Sequence, residues 1–273
     1  MKFVSRYQAK QPDAQGFVAY SAQEHQIWKF LFERQEKILP HRAVNEFIQG
    51  LDLLSLNADA IPQISELNQR MALYTPWQVK AVAAVISSKE FFTLLSEAYF
   101  PVATFIRREE DLDYITEPDI FHEIFGHIPL LMQKDYASFI QAYAKKALSF
   151  PESDWNFFLR LFWFTIEFGL IQTQEGLRIY GGGILSSYGE TMSALVSDAS
   201  IRALFDPVSI LRTPYRIDQI QPLYYVIDDF SVLHEILNLD FATLLARVRV
   251  LGMFPPLYQP QQVKNNESEV SRY

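Results

Sequence analysis

The 273-residue sequence contains no cysteine. That absence excludes disulfides, iron–sulfur clusters and thiolate-ligated haem or zinc together, so any metal must be held by imidazole and carboxylate. A basic surplus is missing too: 24 lysines and arginines face 32 aspartates and glutamates, a formal charge of −8. Nucleic-acid binding rests on the opposite imbalance, and no nucleic-acid partner is expected. Residues 1–19 carry Lys2, Arg6, Lys10 and Asp13 and no apolar run of signal-peptide length, which makes a cytoplasmic location the expectation. There is no internal repeat, low-complexity linker or C-terminal heptad run, so nothing marks a second domain or a coiled-coil handle.

What is present is apolar bulk. Hydrophobic residues make up 49% of the chain, enough for a sizeable core, and 22 phenylalanines and 14 tyrosines point to a core of large rings. Residues 1–20 and 259–273 are polar and read as tails around one domain at 21–258. Helical periodicity is clear over Ala22–Leu39, His41–Leu54, Pro62–Met71, Glu90–Tyr99, Lys134–Leu148, Asp154–Thr173 and Asp240–Val248. Short β-branched or apolar pieces at Val82–Ile86, Val102–Ile106, Leu177–Tyr180 and Tyr224–Ile227 predict strands. Ser87 with Glu90, and Ser187 with Glu190, have the capping-box spacing that opens a helix. The expected fold is mainly α with a few short β-strands, an α+β protein of one compact domain.

The segment Asp154–Thr173 is apolar nearly all round, yet it is short and carries Arg160 and Glu167, so it predicts a buried core helix rather than a membrane span. A lone carboxylate in that setting would be driven to its neutral form unless paired or bound to a metal. Glu167 therefore needs a partner.

Two of the five histidines, His122 and His127, stand five positions apart in EPDIFHEIFGHIPLL, Glu117–Leu131. Zinc proteases use a four-residue step, and on a continuous α-helix a five-residue step turns the rings apart by about 140°. Both rings converge only if the helix ends between them, and Gly126 with Pro129 suggests that exit. Two imidazoles and a carboxylate form the set that holds iron(II) on one face and leaves the other positions open. Two readings stand side by side: a shared metal on His122, His127 and Glu167, or ordinary hydrogen-bonded histidines with Glu167 paired to Arg160 or another base. His25, His41 and His234 lie beside charged neighbours in amphipathic stretches and read as surface or interface residues.

The run YGGGILSSYGE, Tyr180–Glu190, lacks both the dinucleotide and the P-loop glycine spacing and reads instead as close backbone approach at Gly181–Gly183. Ser186 stands where a hydroxyl could support a metal ligand from behind, and Glu190 is placed with it. Arg107, ending FPVATFIR, is either a solvated charge or a clamp for a carboxylate, and Asp119 precedes the first histidine closely enough to orient it.

Four blocks in order, EPDIFHEIFGHIPLL, FWFTIEFGL, YGGGILSSYGE and QPLYYVIDDF, resemble the pterin-dependent aromatic amino acid hydroxylases, with a weaker match back through FPVATFIR to VISSKEFF. The resemblance covers that family's catalytic domain in the short form of its bacterial phenylalanine-hydroxylating members. It implies iron(II), a tetrahydropterin (tetrahydrobiopterin or a related bacterial pterin) and dioxygen acting on the ring of phenylalanine, with tyrosine or tryptophan as alternatives. It also implies His122, His127 and Glu167 as iron ligands, and Phe91, Ile86, Ser88 and Glu123 at the pterin. Arg107, held by Asp119, would bind the substrate carboxylate, and Pro118, Trp163, Phe168, Gly183 and Ser186 would line the amino acid pocket. Ile115-Thr116 replaces the Thr-Pro of animal members, which moves the hydroxyl to Thr116, and Phe162 stands where the animal phenylalanine hydroxylase has tyrosine. A small aromatic amino acid is the expected partner, with no membrane and a monomer or small homo-oligomer. Outside the resemblance, a zinc hydrolase using Glu123 as base, or a non-catalytic helical binding module, are the other classes considered.

Overall fold

The computed structural model describes residues 6–83 and 86–257. The first half is helical: α1 (Ala22–Ile38), α2 (Asn45–Leu53) and α3 (Ile64–Met71) lead to β1 (Gln78–Val82), α4 (Ser88–Ser96) and β2 (Tyr99–Ala103). After a π-helical segment at His122–His127 and a 3-10 turn at Pro129–Met132 come α5 (Lys134–Leu148) and α6 (Trp155–Phe162), which runs into a second π-helical segment, Trp163–Glu167. The remainder is β3 (Gly169–Thr173), β4 (Gly176–Ile179), α7 (Gly182–Leu185), α8 (Tyr188–Ser193), β5 (Ile201–Leu204), α9 (Pro207–Arg212), β6 (Leu223–Ile227), α10 (Ser231–Leu237) and α11 (Phe241–Leu251). The mainly α architecture with short strands is the one expected.

Strands β1 and β2 pair in parallel as a two-stranded sheet. The other sheet has the order β4-β3-β6-β5, with β3 and β4 antiparallel and the other pairs parallel. Every residue of β6, Leu223–Ile227, is buried, as befits an inner strand. The large rings do form the core: Trp28, Phe47, Phe92, Phe121, Phe125 and Phe139 are among the largest fully buried side chains. No helix among the described residues is long and apolar enough to cross a membrane.

The structure corrects several boundaries. The expected helix Asp154–Thr173 ends at Glu167, and its last residues become β3, which starts at Gly169, where a Cβ would come within 2.1 Å of the Tyr180 ring. A short apolar run cannot be told from a strand by periodicity alone, and here tertiary pairing with β4 and β6 decides it. The helix expected from His41 begins at Asn45: His41 has a φ of 64°, and Ala43 bridges to Ile179. The helix expected to reach Tyr99 ends at Ser96, before Ala98 at a φ of 62°. The strand expected at Val82–Ile86 lies earlier, at Gln78–Val82; residues 84 and 85 fall outside the described residues. The strand expected at Val102–Ile106 is likewise Tyr99–Ala103, and Thr104 leaves the sheet to donate its hydroxyl to the Lys10 carbonyl at 2.7 Å.

That last contact belongs to a further correction. The stretch before α1, expected as a polar tail, packs against the body: Tyr7 and Val18 are buried, and Tyr7 stacks on Phe105 at 4.6 Å. Two apolar side chains among polar neighbours give too weak a pattern to be read from sequence. The expected tail 259–273 lies outside the described residues.

Candidate metal centre and substrate cavity

His122 and His127 do converge, but not by the expected helix exit. The whole segment between them is π-helical, and a π-helix bonds residue i to i+5, so a five-residue step returns to the same face. Gly126 serves that arrangement through its lack of bulk: a Cβ there would lie 2.6 Å from the Gly182 carbonyl oxygen. Glu167 closes the second π-helical segment, so both elements that carry the chemistry are wound in this rarer way.

The three side chains meet at their tips. The His122 and His127 Nε2 atoms are 3.3 Å apart, and Glu167 Oε2 lies 3.2 Å from His127 Nε2 and 3.7 Å from His122 Nε2. The circle through these three atoms has a radius of about 2 Å, the length of a metal–nitrogen or metal–oxygen bond. The donor set fits a divalent ion that accepts nitrogen and oxygen ligands. Arg160, the alternative partner for Glu167, instead donates to the Leu211 carbonyl at 2.7 Å.

The supporting groups set the protonation of the set. Ser186 Oγ donates to the Gly182 carbonyl at 2.9 Å, so towards His122 Nδ1, also at 2.9 Å, it is left as an acceptor. That makes Nδ1 the protonated nitrogen and leaves a lone pair on Nε2, the form a metal ligand needs. Burial lowers His122 from an ordinary 6.5 to about 4, against the pull of Glu167 in the other direction. Burial works to raise the Glu167 carboxyl, but the charge and hydrogen bond of His127, with His122 beyond it, carry it below the usual carboxylate range. His127 is 1% exposed, with Phe100 packed 5.0 Å from its ring. Gly182 makes room for it: a Cβ there would come within 2.4 Å of the imidazole.

Glu123 is the second carboxylate near the pair, its ligand atom and those of the two histidines lying within 4.8 Å of one another. Its state differs from that of Glu167. Burial, then the charges of Glu167 and Asp119, push its carboxyl well above the usual range, the opposite direction to that of Glu167. Of the two carboxylates, Glu167 is the one with an oxygen at 3.2 and 3.7 Å from the two Nε2 atoms.

The centre opens onto a cavity of about 410 Å³, within the range of small-molecule sites. Every other residue expected at the substrate or the pterin borders it, with the exception of Asp119: Arg107, Thr116, Pro118, Trp163, Phe168, Gly183 and Ser186 on one hand, Ile86, Ser88, Phe91 and Glu123 on the other, and Glu190 as well. Asp119 is fully buried behind the wall, where its carboxylate accepts from Arg107 Nε, a terminal guanidinium nitrogen and the Arg107 and His122 backbone N–H groups, at 2.8–2.9 Å. Phe91 packs edge-on against Phe162 at 5.3 Å, and Trp163 lies 4.5 Å from Phe168. The three remaining histidines are elsewhere: His25 accepts from the Ile61 N–H, His234 meets the Asp135 carbonyl, and His41 is exposed.

Sequence reasoning missed several cavity residues. Tyr215 stacks on Trp163 at 4.5 Å and 21°, and Tyr114 and Ile217, joined by a hydrogen bond from the Tyr114 hydroxyl to the Ile217 carbonyl, border the same space. All three lie on irregular segments without periodicity, where no pattern signals them. Gln221 was within reach, since it opens the QPLYYVIDDF block, and it is 1% exposed with its side chain accepting from Trp163 Nε1.

Known proteins resemble this chain in sequence and in fold. Residues 3–272 match the family model described as biopterin-dependent aromatic amino acid hydroxylase. The chain is 46% identical to a phenylalanine-4-hydroxylase of Pseudomonas aeruginosa, over 94% of this chain and 98% of that one. Among solved structures, phenylalanine hydroxylase from Legionella pneumophila superposes with a TM-score of 0.89 at 56% identity, covering 92% of this chain and all of that one. A Chromobacterium violaceum phenylalanine hydroxylase with bound iron(III) and oxidised cofactor 7,8-dihydrobiopterin superposes with a TM-score of 0.83 at 38% identity, covering 92% of this chain and 93% of that one. With its fold and nearly its whole length matched, this chain belongs to the biopterin-dependent aromatic amino acid hydroxylases.

Proposed function

We propose that the chain is an iron(II)- and tetrahydropterin-dependent monooxygenase that converts L-phenylalanine to L-tyrosine with dioxygen. The observation that carries this reading is the triangle of His122, His127 and Glu167 facing a cavity that Arg107 also borders. The relatives named above are phenylalanine hydroxylases, which favours phenylalanine over tyrosine or tryptophan. His122, His127 and Glu167 would hold iron, with Ser186 supporting His122 and Glu190 bordering the same cavity. Iron together with the reduced pterin supplies the activation of dioxygen when both are bound.

The chain's own residues bind, orient and exclude water. Arg107 offers its guanidinium to the substrate carboxylate while Asp119 fixes its plane, and Thr116 borders the same cavity. Trp163, Phe168, Pro118 and Gly183 make an apolar seat for the substrate ring. Ile86, Ser88 and Phe91 provide the pterin with an apolar and aromatic surface, and Glu123, whose burial favours the protonated form, stands beside them at the cavity. The zinc-hydrolase alternative needs Glu123 as an ionised base, the form its burial disfavours, and the intact ligand set argues against a non-catalytic module.

We propose a cytoplasmic monomer or small homo-oligomer without a membrane partner, and without a nucleic-acid partner, the last supported by the net charge of −8. The catalytic domain, expected over residues 21–258, takes in the packed residues around Tyr7 and Val18. The test of substrate is a comparison of kcat/KM for phenylalanine, tyrosine and tryptophan in the iron- and pterin-loaded protein. Phenylalanine is expected to lead with tyrosine as its product; a clear preference for either other amino acid contradicts the assignment.

A further inference from the structure

Trp163 begins the second π-helical segment and forms part of the cavity wall, packed between rings: Phe168 lies 4.5 Å away at 32° and Tyr215 4.5 Å away at 21°. Near-parallel stacking holds a ring in its plane, but dispersion is weakly directional and does little to fix rotation within that plane. A hydrogen bond at the ring edge does. Trp163 has one, from Nε1–H to Gln221 Oε1 at 3.3 Å.

Gln221 is itself pinned on every side. Its Nε2 donates to the Arg216 and Gln219 carbonyls at 2.9 and 3.0 Å, and its backbone N–H donates to Glu190 Oε1 at 2.9 Å. The other oxygen of Glu190 accepts from the Tyr224 hydroxyl, and both Glu190 and Gln221 are almost completely buried. Burying an amide and a carboxyl beside an apolar cavity is unfavourable unless every polar atom is satisfied, and a leucine or methionine would fill the same space at lower cost. The chain keeps the polar pair, and the ring at its end borders the cavity.

We propose that Gln221, anchored by Glu190, is a positioning residue that fixes the in-plane rotation of Trp163 and thereby the seating of the substrate ring over the His122–His127–Glu167 triangle. This rests on the reading of the cavity as an aromatic amino acid site. Neither residue need touch the substrate; they act through the indole. When the indole is free to rotate, the substrate ring is seated less accurately, so reduced pterin gives its two electrons and two protons to dioxygen, forming hydrogen peroxide in place of tyrosine.

The test is a double-mutant cycle between Gln221→Met and Trp163→Phe, reading tyrosine formed per pterin oxidised, the rate of pterin oxidation, and the unfolding midpoint. Loss of one buried hydrogen bond predicts that Gln221→Met lowers the tyrosine yield by about threefold to tenfold while pterin oxidation stays within about twofold. With Phe at 163 there is no indole N–H to hold, and the same substitution then changes the yield by less than about twofold. An equal loss of yield in both backgrounds, or no loss in either, overturns the proposal. If Gln221→Met does not fold, Trp163→Phe alone decides: it keeps a ring and removes the N–H, and an unchanged yield overturns the proposal. A wild type that forms no tyrosine defeats the functional reading instead. In that case the Trp163 emission, taken as wild type minus Trp163→Phe, must still shift in Gln221→Met, and an unchanged spectrum overturns the positioning role.

Discussion

Arg107 and Asp119 are joined by three hydrogen bonds at 2.8–2.9 Å, two from the guanidinium and one from the Arg107 backbone N–H. Both residues are buried, at 4% and 0% exposure, and the Asp119 carboxylate also accepts from the His122 backbone N–H at 2.9 Å. One carboxylate therefore links the cation proposed for substrate binding to the first of the proposed metal ligands. Burial works to raise Asp119, but the Arg107 charge and hydrogen bonds hold it below the usual carboxylate range, so it stays ionised.

Asp119→Asn leaves a buried guanidinium without its counter-charge, and breaking a buried pair in this way costs about 3–5 kcal/mol. Thermal unfolding should show that loss, and titration of the folded remainder should show weakened binding of both phenylalanine and iron. Weakened phenylalanine binding with intact iron affinity would mean that the link to His122 carries no energy. Arg107→Lys should not rescue phenylalanine binding, because an ammonium cannot reproduce the planar fork.

Ser186→Ala removes the acceptor that holds His122 Nδ1–H. Loss of such a support typically lowers metal affinity about 10- to 100-fold. Competition with a chelator measures it directly, and unchanged iron affinity would remove Ser186 from the centre.

Gly182→Ala places a methyl group within 2.4 Å of the His127 imidazole, which is packed against Phe100 and has little room to retreat. The expected result is a folded protein with impaired iron loading, seen as near-native circular dichroism with substoichiometric iron. Full occupancy in that variant would show that His127 can move without leaving the centre.

Burial raises Glu190 from an ordinary 4.5 to about 7, partly offset by its bonds from Tyr224 and Gln221. The folded protein therefore keeps a proton that the unfolded chain releases, so this stabilisation is full below about pH 4.5 and declines as pH rises through about 7. A Glu190→Gln variant has no such proton, and its unfolding midpoint should gain on the wild type between pH 5 and pH 8. Over that range the difference amounts to on the order of 3 kcal/mol. Parallel pH profiles for the two proteins would show that Glu190 titrates normally.

The sequence carried the chemistry further than the backbone that presents it. The burial of Glu167 and the spacing of His122 and His127 raised a shared metal as one of two readings, while Arg107 and the rest of the cavity wall were legible only through the family blocks. The way the histidines converge was not legible: Gly126 and Pro129 suggested a helix end, while the chain adopts a π-helical turn stabilised by packing of Gly126 against the Gly182 backbone. The conversion of the end of the Asp154–Thr173 helix into β3 was hidden for a similar reason, since pairing with β4 and β6 comes from residues far along the chain. Tyr7, Tyr215 and Ile217 were silent because irregular segments impose no period.

The most direct test of the account is tyrosine formation from phenylalanine by the purified protein, with iron(II), reduced pterin and dioxygen present together and each omitted in turn. The account predicts tyrosine only in the complete mixture, and none from Glu167→Gln under the same conditions. Tyrosine formed without added pterin or iron by metal-free protein, or full activity in Glu167→Gln, would contradict it.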